Sequence, residues 1–147
     1  MLRSKLLHPG ILQALAEAGH GSTVLISDGN FPHGTAPRPG VPRVYLNLSP
    51  GKVLVTDVLE AIVPAVPIES VVLMAARAPV VPEAHAPIRS LLPDAAPVEL
   101  LDRFAFYEAT RLPNLALVIA TADPRLFACV LLTIGVVEAD GAMSTGA

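Results

Sequence analysis

Apolar residues recur along this chain at two different spacings, and these spacings predict both helices and strands. The apolar positions 11, 12, 15 and 18 lie between Pro9 and Gly19, which is typical of an amphipathic helix over 9–18. A weaker helical pattern over 56–63 has Thr56 as its expected cap and ends before Pro64. Short runs that are apolar or alternate with polar residues predict strands, at 23–27, 43–48, 71–75, 115–120 and 129–134.

Strands that alternate with helices predict one α/β domain over 1–139. We expect a three-layer α/β/α sandwich around a mostly parallel or mixed sheet, because the strands are apolar enough to be covered on both faces.

Two segments rich in glycine or proline interrupt this pattern. The segment 77–97 contains five prolines, which leaves room only for a short helix at 88–92 in a surface connector. The last residues, 140–147, are expected to be a disordered tail.

The other interruption, at 28–39, is dense in residues that break regular structure and predicts a long loop. It presents Asp28, Asn30, Phe31 and His33, a mixture suited to holding a small polar ligand. The alternative interpretation is a surface loop without a function.

The composition favours a globular protein that associates with itself. Of 147 residues, 52% are hydrophobic and 16% are charged, and the mean hydropathy is +0.57. A monomer of this size cannot bury so much apolar surface, so a homo-oligomer is expected. The longest apolar run, 126–137, is shorter than the roughly 20 residues that span a membrane. The N-terminus has no sustained apolar segment typical of a signal peptide, and we therefore expect a cytoplasmic protein without a membrane partner.

Charge and cysteine content narrow the possible partners further. The formal net charge is −3, and the ten lysines and arginines form no basic block, which argues against nucleic acid. The single cysteine, Cys129, excludes an intrachain disulfide and a metal site built from several cysteines. Because it lies within an apolar run, a buried core thiol is expected.

Two titratable side chains flank the strand predicted at 23–27, namely His20 within Gly19-His20-Gly21 and Asp28 at the start of the long loop. A histidine with a pKa of roughly 6.5 can both give and take a proton near neutrality, and an aspartate can orient it or bind hydroxyl groups. The spacing leaves open whether the two lie at opposite ends of the strand or at one rim. The alternative is structural, since a histidine favours a helix C-terminus and an aspartate often begins a turn.

Four segments occur in an order that resembles the D-ribose pyranase and L-fucose mutarotase family. They are Ala16-Glu-Ala-Gly-His-Gly21, Ser27-Asp-Gly-Asn-Phe-Pro32, Thr56-Asp-Val-Leu-Glu-Ala-Ile-Val-Pro64 and Asp102-Arg-Phe-Ala-Phe-Tyr-Glu108. The likeness extends over 11–137, and the last segment resembles the fucose mutarotase branch in particular. The resemblance implies interconversion of the cyclic forms of a free monosaccharide without a cofactor or metal, in ring-like oligomers, commonly decamers, with sites near subunit contacts.

The same resemblance implies roles for individual residues. His20 corresponds to the family's catalytic histidine, as proton donor or shuttle, and Asp28 to its substrate-binding aspartate. Arg103 corresponds to a position that contacts sugar, and Tyr107 lies in the same segment. For Arg103 an ion pair with Asp102 or Glu99 is the structural alternative.

This sequence departs from the family at Phe127 and Cys129, which replace a Tyr-x-Asn motif whose side chains help bind sugar. The loss of a hydroxyl and an amide favours a substrate with fewer hydroxyls, unless Asn30 and His33 compensate. It also motivates a second hypothesis, a carbohydrate-binding or regulatory protein without turnover. A third hypothesis, a metal held by His20, Asp28 and His33, lacks any local metal-binding spacing.

Overall fold

The computed structural model describes residues 1–139, and the expected tail at 140–147 lies outside the described residues. Within that range ten elements follow one another along the chain. They are α1 (Pro9–Glu17), β1 (Thr23–Ser27), β2 (Arg43–Tyr45), α2 (Val55–Ile62), β3 (Ile68–Met74), α3 (His85–Leu91), β4 (Val98–Leu101), α4 (Arg103–Ala109), β5 (Leu115–Ala120) and β6 (Val130–Ile134). None of these helices is long and apolar enough to cross a membrane.

The six strands form one mixed sheet in the order β2-β5-β1-β6-β3-β4. The pairs β2 with β5, β5 with β1, and β3 with β4 are parallel, whereas β6 is antiparallel to both β1 and β3. Five strands therefore point in one direction and end at the same edge of the sheet. We call this the carboxyl edge, and it carries Asp28, Met74, Thr121 and, because β6 is reversed, Cys129. The amino edge opposite carries His20, Glu69 and Gly135.

Apolar side chains on the two faces of the sheet build two separate cores. Along β1, Val24 and Ile26 face the core covered by α1, α2 and α3, while Leu25 faces the core covered by α4 and the loop 28–42. This alternation follows from the two-residue period of a strand. The α/β prediction with layers on both faces is therefore confirmed.

Several element boundaries differ from the predictions. The helix expected to be capped by Thr56 begins at Val55, because the backbone N–H of Leu54 donates to the side chain of Asp57 (2.7 Å) and that of Val55 to Asp123 (3.0 Å). Thr56 is thus inside the helix. The second strand ends at Tyr45 rather than at 48, and the helix expected at 88–92 is α3, which starts three residues earlier. The third strand begins at Ile68 rather than 71.

The edge strand β4 was not predicted. It directly follows the proline-rich segment, and its side chains are exposed or only half buried, so it has no clear apolar pattern. Its place matters because it pairs with β3 and leads straight into α4 at the carboxyl edge.

Candidate functional site

Asp28 is a buried carboxyl group at the carboxyl edge. It follows the fully buried strand β1, and only 5% of its surface is exposed. Its Oδ1 accepts a hydrogen bond from the backbone N–H of Asn30 (2.9 Å), and its Oδ2 accepts one from the Cys129 thiol (3.3 Å). Burial raises the pKa of the Asp28 carboxyl above its ordinary value, although these hydrogen bonds partly oppose the rise.

Asp28 lies in the wall of a cavity of about 270 Å³. The strands β1, β3 and β6 and the helix α4 all contribute to it, because the carboxyl edge brings their ends together. We call it the Asp28 cavity. It is lined by Asp28, Asn30, Phe31, Met74, Arg103, Tyr107, Leu126, Phe127 and Cys129.

Arg103 and Tyr107 reach this cavity from one face of α4, as residues four apart on a helix do. The helix starts here because Asp102 accepts hydrogen bonds from the backbone N–H groups of Phe104 (2.9 Å) and Ala105 (3.0 Å). Asp102 therefore caps the helix. The Arg103 guanidinium is instead 4.7 Å from the centre of the exposed Phe104 ring.

Tyr107 packs edge-on against Phe31, with ring centres 5.3 Å apart. Burial raises the pKa of its phenol, although the nearby charge of Arg103 opposes the rise. The phenol is consequently protonated over the whole neutral range and can donate a hydrogen bond to a ligand. Together with Arg103 it supplies hydrogen-bond donors to the same cavity as the acceptor Asp28.

Phe127 and Cys129 make the remaining wall largely apolar. Cys129 is fully buried, and burial together with the charge of Asp28 raises the pKa of its thiol well above the ordinary value, so it is protonated. Phe127 has a backbone φ of 60°, in the left-handed region that costs a residue with a side chain about 1–2 kcal/mol. The surrounding contacts therefore hold the backbone of this wall in a strained conformation.

His85 lies behind this wall, and sequence reasoning did not identify it. Its Nε2 is 3.1 Å from the carbonyl oxygen of Met74, and its ring also lies close to the backbone of Phe127. Burial lowers the pKa of this imidazole. A lone histidine in a proline-rich segment has no spacing that marks it, so only the fold reveals that it ties together two residues of the cavity wall.

His20 lies away from the Asp28 cavity. It precedes β1 at the amino edge, whereas Asp28 follows β1 at the carboxyl edge, so the two are on the order of 16 Å or more apart at about 3.3 Å per residue. The His20 side chain is 59% exposed, and its Nε2 is 2.8 Å from Oε2 of Glu69. The spacing left open whether His20 and Asp28 lie at opposite ends of the strand or at one rim. In the structure they lie at opposite ends of β1.

His33 is also outside the lining of the Asp28 cavity. Its Nδ1 hydrogen-bonds with Oγ of Ser27 (2.8 Å), and its ring packs near Phe31. Burial lowers the pKa of His33, although the charge of Asp28 opposes this. Of the two residues expected to compensate for the lost sugar contacts, only Asn30 lines the cavity. Within one copy His20 is too remote to bind the same metal ion as Asp28 and His33, and residues 1–139 contain no cluster of three metal-ligating side chains.

Comparisons with known proteins agree with this architecture. The family model described as the RbsD / FucU transport protein family matches residues 1–137. Among solved structures, RbsD from Bacillus subtilis, solved in complex with D-ribose, has a TM-score of 0.81 and 23% identity, covering 94% of this chain and 100% of that chain. The fucose mutarotase from Streptococcus pneumoniae, solved in complex with L-fucose, has a TM-score of 0.78 and 21% identity, with the same coverage. FucU from Bifidobacterium longum has a TM-score of 0.72 and 28% identity, covering 90% of this chain and 97% of that chain.

Proposed function

Since a family model matches residues 1–137, the chain belongs to the RbsD/FucU family, and we propose that it interconverts the cyclic forms of a free, L-fucose-like monosaccharide by general acid/base catalysis. One observation supports this above the others: the buried carboxyl of Asp28 lies in one cavity with the donors Arg103 and Tyr107. The solved relatives named for ribose and fucose add support for a sugar mutarotase or pyranase kind of function.

Ring opening of a sugar hemiacetal moves two protons. A base takes the proton of the anomeric hydroxyl, a carbonyl forms as the ring C–O bond breaks, and an acid gives a proton to the ring oxygen. Closure on the other face of the carbonyl reverses these transfers and yields the other anomer. Each positioned acid or base contributes about 10²- to 10⁴-fold.

We assign sugar binding to the residues of the Asp28 cavity. In this proposal, Asp28 accepts hydrogen bonds from sugar hydroxyls, and the fork of N–H donors on Arg103 holds sugar oxygens from the rim. Tyr107 donates a further hydrogen bond. Phe127 and Cys129 pack against a part of the sugar that lacks a hydroxyl, as the methyl group of a 6-deoxy sugar such as fucose does.

The catalytic role of His20 requires a second copy of the chain, because His20 is remote from Asp28 within one copy. We propose that His20 of one copy reaches the Asp28 cavity of the next and gives a proton there to the ring oxygen, while water or a sugar hydroxyl takes the proton of the anomeric hydroxyl. Exposed apolar side chains occur at both edges: Leu126 (63%) in the lining of the cavity, Phe104 (67%) on α4 beside it, and Val137 (59%) beyond the end of β6. A contact between two different edges is head-to-tail and produces a ring when it closes, in agreement with the expected homo-oligomer.

Exchange NMR on sugar anomers tests this function. We expect catalytic amounts of the protein to accelerate anomer exchange of L-fucose more than that of D-ribose or D-galactose, and His20→Ala to abolish most of the acceleration. Glu17→Ala, which changes an exposed residue at the end of α1, is the matched control and should retain activity. No acceleration of any free sugar would refute the proposal.

The replacements at Phe127 and Cys129 favour one other function, sugar binding without turnover. They remove polar groups from the cavity while leaving Asp28, Arg103 and Tyr107 in its lining. Calorimetry distinguishes the two functions: saturable heat of binding for a monosaccharide, without accelerated exchange, would support the binding protein.

A further inference from the structure

A second cavity, of about 310 Å³, lies beside the Asp28 cavity at the carboxyl edge. It is formed where the parallel strands β2, β5 and β1 end, the place at which open α/β sheets commonly bind ligands. We call it the Asn47 cavity. It is lined by Gly29, Asn30, Asn47, Ser49, Pro50, Thr121, Ala122, Asp123 and Pro124.

The two cavities meet at Asn30, which lines both. The segment Asp28-Gly29-Asn30 forms their common wall, because Asp28 lines the first cavity and Gly29 the second. This wall follows β1, the strand at which the sheet changes from parallel pairing with β5 to antiparallel pairing with β6. A ligand bound to Asp28 therefore has an adjoining space on the far side of Asn30.

The chemistry of the Asn47 cavity favours neutral, hydroxyl-rich ligands. The side chains of Asn30, Asn47 and Ser49 make no hydrogen bond to another group within residues 1–139, so their amides and hydroxyl are available to a ligand. No lysine or arginine lines the cavity, which argues against a phosphate or another anion.

The one acid in the lining is already occupied. Asp123 is fully buried, and its carboxylate oxygens accept hydrogen bonds from the Arg125 side chain (2.6 and 2.9 Å) and from the backbone N–H of Val55 (3.0 Å). The hydroxyl of Thr121 likewise donates to the carbonyl of Ser27 (2.8 Å). These groups shape the cavity, and the free donors and acceptors in it are uncharged.

We propose that the Asn47 cavity binds a second sugar unit, so that the preferred substrate is a reducing disaccharide whose reducing unit occupies the Asp28 cavity. This inference rests on the proposed function. Each cavity alone is at or near the lower end of the roughly 300–1,000 Å³ typical of ligand sites. Because Asn30 lines both, a two-ring ligand that crosses this residue occupies the two cavities together. The amides of Asn30 and Asn47 and the hydroxyl of Ser49 hydrogen-bond the hydroxyls of the outer ring.

The test compares anomer exchange of L-fucose with that of galactosyl-L-fucose disaccharides linked through O2, O3 or O4 of the fucose. For at least one linkage we expect kcat/KM about tenfold above that of L-fucose, a gain that a few neutral hydrogen bonds supply. Equal or lower values for all three linkages would overturn the proposal.

Asn47→Trp fills the cavity and should reduce the ratio of disaccharide to monosaccharide kcat/KM to one or below. Leu48→Trp is the matched control, because Leu48 is 83% exposed on the same loop and does not line the cavity, and it should keep the ratio. Asn47→Ala, a smaller change, should lower the ratio in the same direction if the tryptophan variant does not fold. An unchanged ratio in the Asn47 variants would contradict the proposal.

Two further outcomes distinguish a disaccharide site from an interface between two copies and from sugar binding without catalysis. If Asn47→Trp, but not Leu48→Trp, changes the oligomer mass in light scattering, a neighbouring copy fills the cavity and the inference is wrong. If no sugar is exchanged, the proposed catalysis fails, and calorimetry then decides about the cavity: tighter binding of a disaccharide than of L-fucose, lost in Asn47→Trp, would still support it.

Discussion

The thiol of Cys129 donates a hydrogen bond to the carboxylate of Asp28 across 3.3 Å, and both groups are buried. Cys129 immediately precedes β6, whose reversed direction carries it to the edge at which β1 ends. The thiol is a weak donor compared with an amide, so it stabilises the ionised carboxylate only modestly. The polarity of the Asp28 cavity thus depends on the residue at position 129.

Removal of this donor should move the pH dependence of activity. In Cys129→Ala the pKa of Asp28 should rise further, because burial continues to raise it while one opposing hydrogen bond is lost. If sugar binding uses ionised Asp28, the acid limb of the profile of kcat/KM against pH shifts to higher pH. Cys129→Ser keeps a donor and should shift the limb to lower pH. Identical profiles for all three proteins would contradict this role of Cys129.

A change of specificity is expected when the lost polar groups are restored. The double variant Phe127→Tyr with Cys129→Asn introduces a hydroxyl and an amide into the cavity wall. Each hydrogen bond to a sugar hydroxyl that the variant restores contributes about 1–3 kcal/mol to binding. We expect kcat/KM for D-galactose to increase relative to that for L-fucose, by about tenfold or more. Competition exchange NMR with both sugars in one sample measures the ratio directly. Unchanged preference would mean that this wall does not contact the sugar.

The sequence predicted the layers of the fold better than it predicted the site. Strongly apolar strands such as 23–27 and 115–120 have the predicted bounds, because burial on both faces leaves an unbroken apolar run. The edge strand β4 has no such run and was missed. The spacing between His20 and Asp28 could not decide which edge each occupies, since that depends on the tertiary arrangement.

Contacts between residues that are distant in the sequence also depend on the tertiary arrangement, so the sequence did not predict them. The contact of His85 with the carbonyl of Met74, and that of Asp123 with the start of α2, join segments that no local pattern relates. Motif resemblance brought Asp28, Arg103 and Tyr107 together as candidates, and all three line one cavity.

Substitution of Asp123 should destabilise the protein strongly. Its carboxylate is fully buried, pairs with Arg125 and accepts a hydrogen bond from Val55, so Asp123→Asn leaves the guanidinium without its charge partner. Breaking such a pair costs about 3–5 kcal/mol. Urea denaturation should show this loss in the free energy of unfolding, whereas Asp94→Asn, at an exposed position, should change it little.

The same pair predicts a pH effect in the acid range. Burial acts to raise the pKa of Asp123, but the hydrogen bonds and charge of Arg125 outweigh it and hold the pKa below the ordinary 3.8. Stability from this group is therefore present above pH 3.8 and is lost as the pH falls through the lower pKa of the folded state. An Asp123→Asn variant should lose less stability than the parent across that range.

His85 should make the protein less stable as the pH falls from neutrality. Burial lowers its pKa below the ordinary 6.5, and the charge of Arg89 acts in the same direction, although hydrogen bonding of the imidazole to the backbone opposes both. Below pH 6.5 the unfolded chain binds a proton that the folded protein does not, so the free energy of unfolding decreases until the folded pKa is reached.

The variant His85→Gln isolates this contribution, because glutamine can still donate to the carbonyl of Met74 but does not titrate. Melting temperatures measured from pH 7 down to pH 5 should fall less steeply for this variant than for the parent. Some dependence should remain, since burial also lowers the pKa of His33. Parallel curves for His85→Gln and the parent would show that His85 does not titrate in this range.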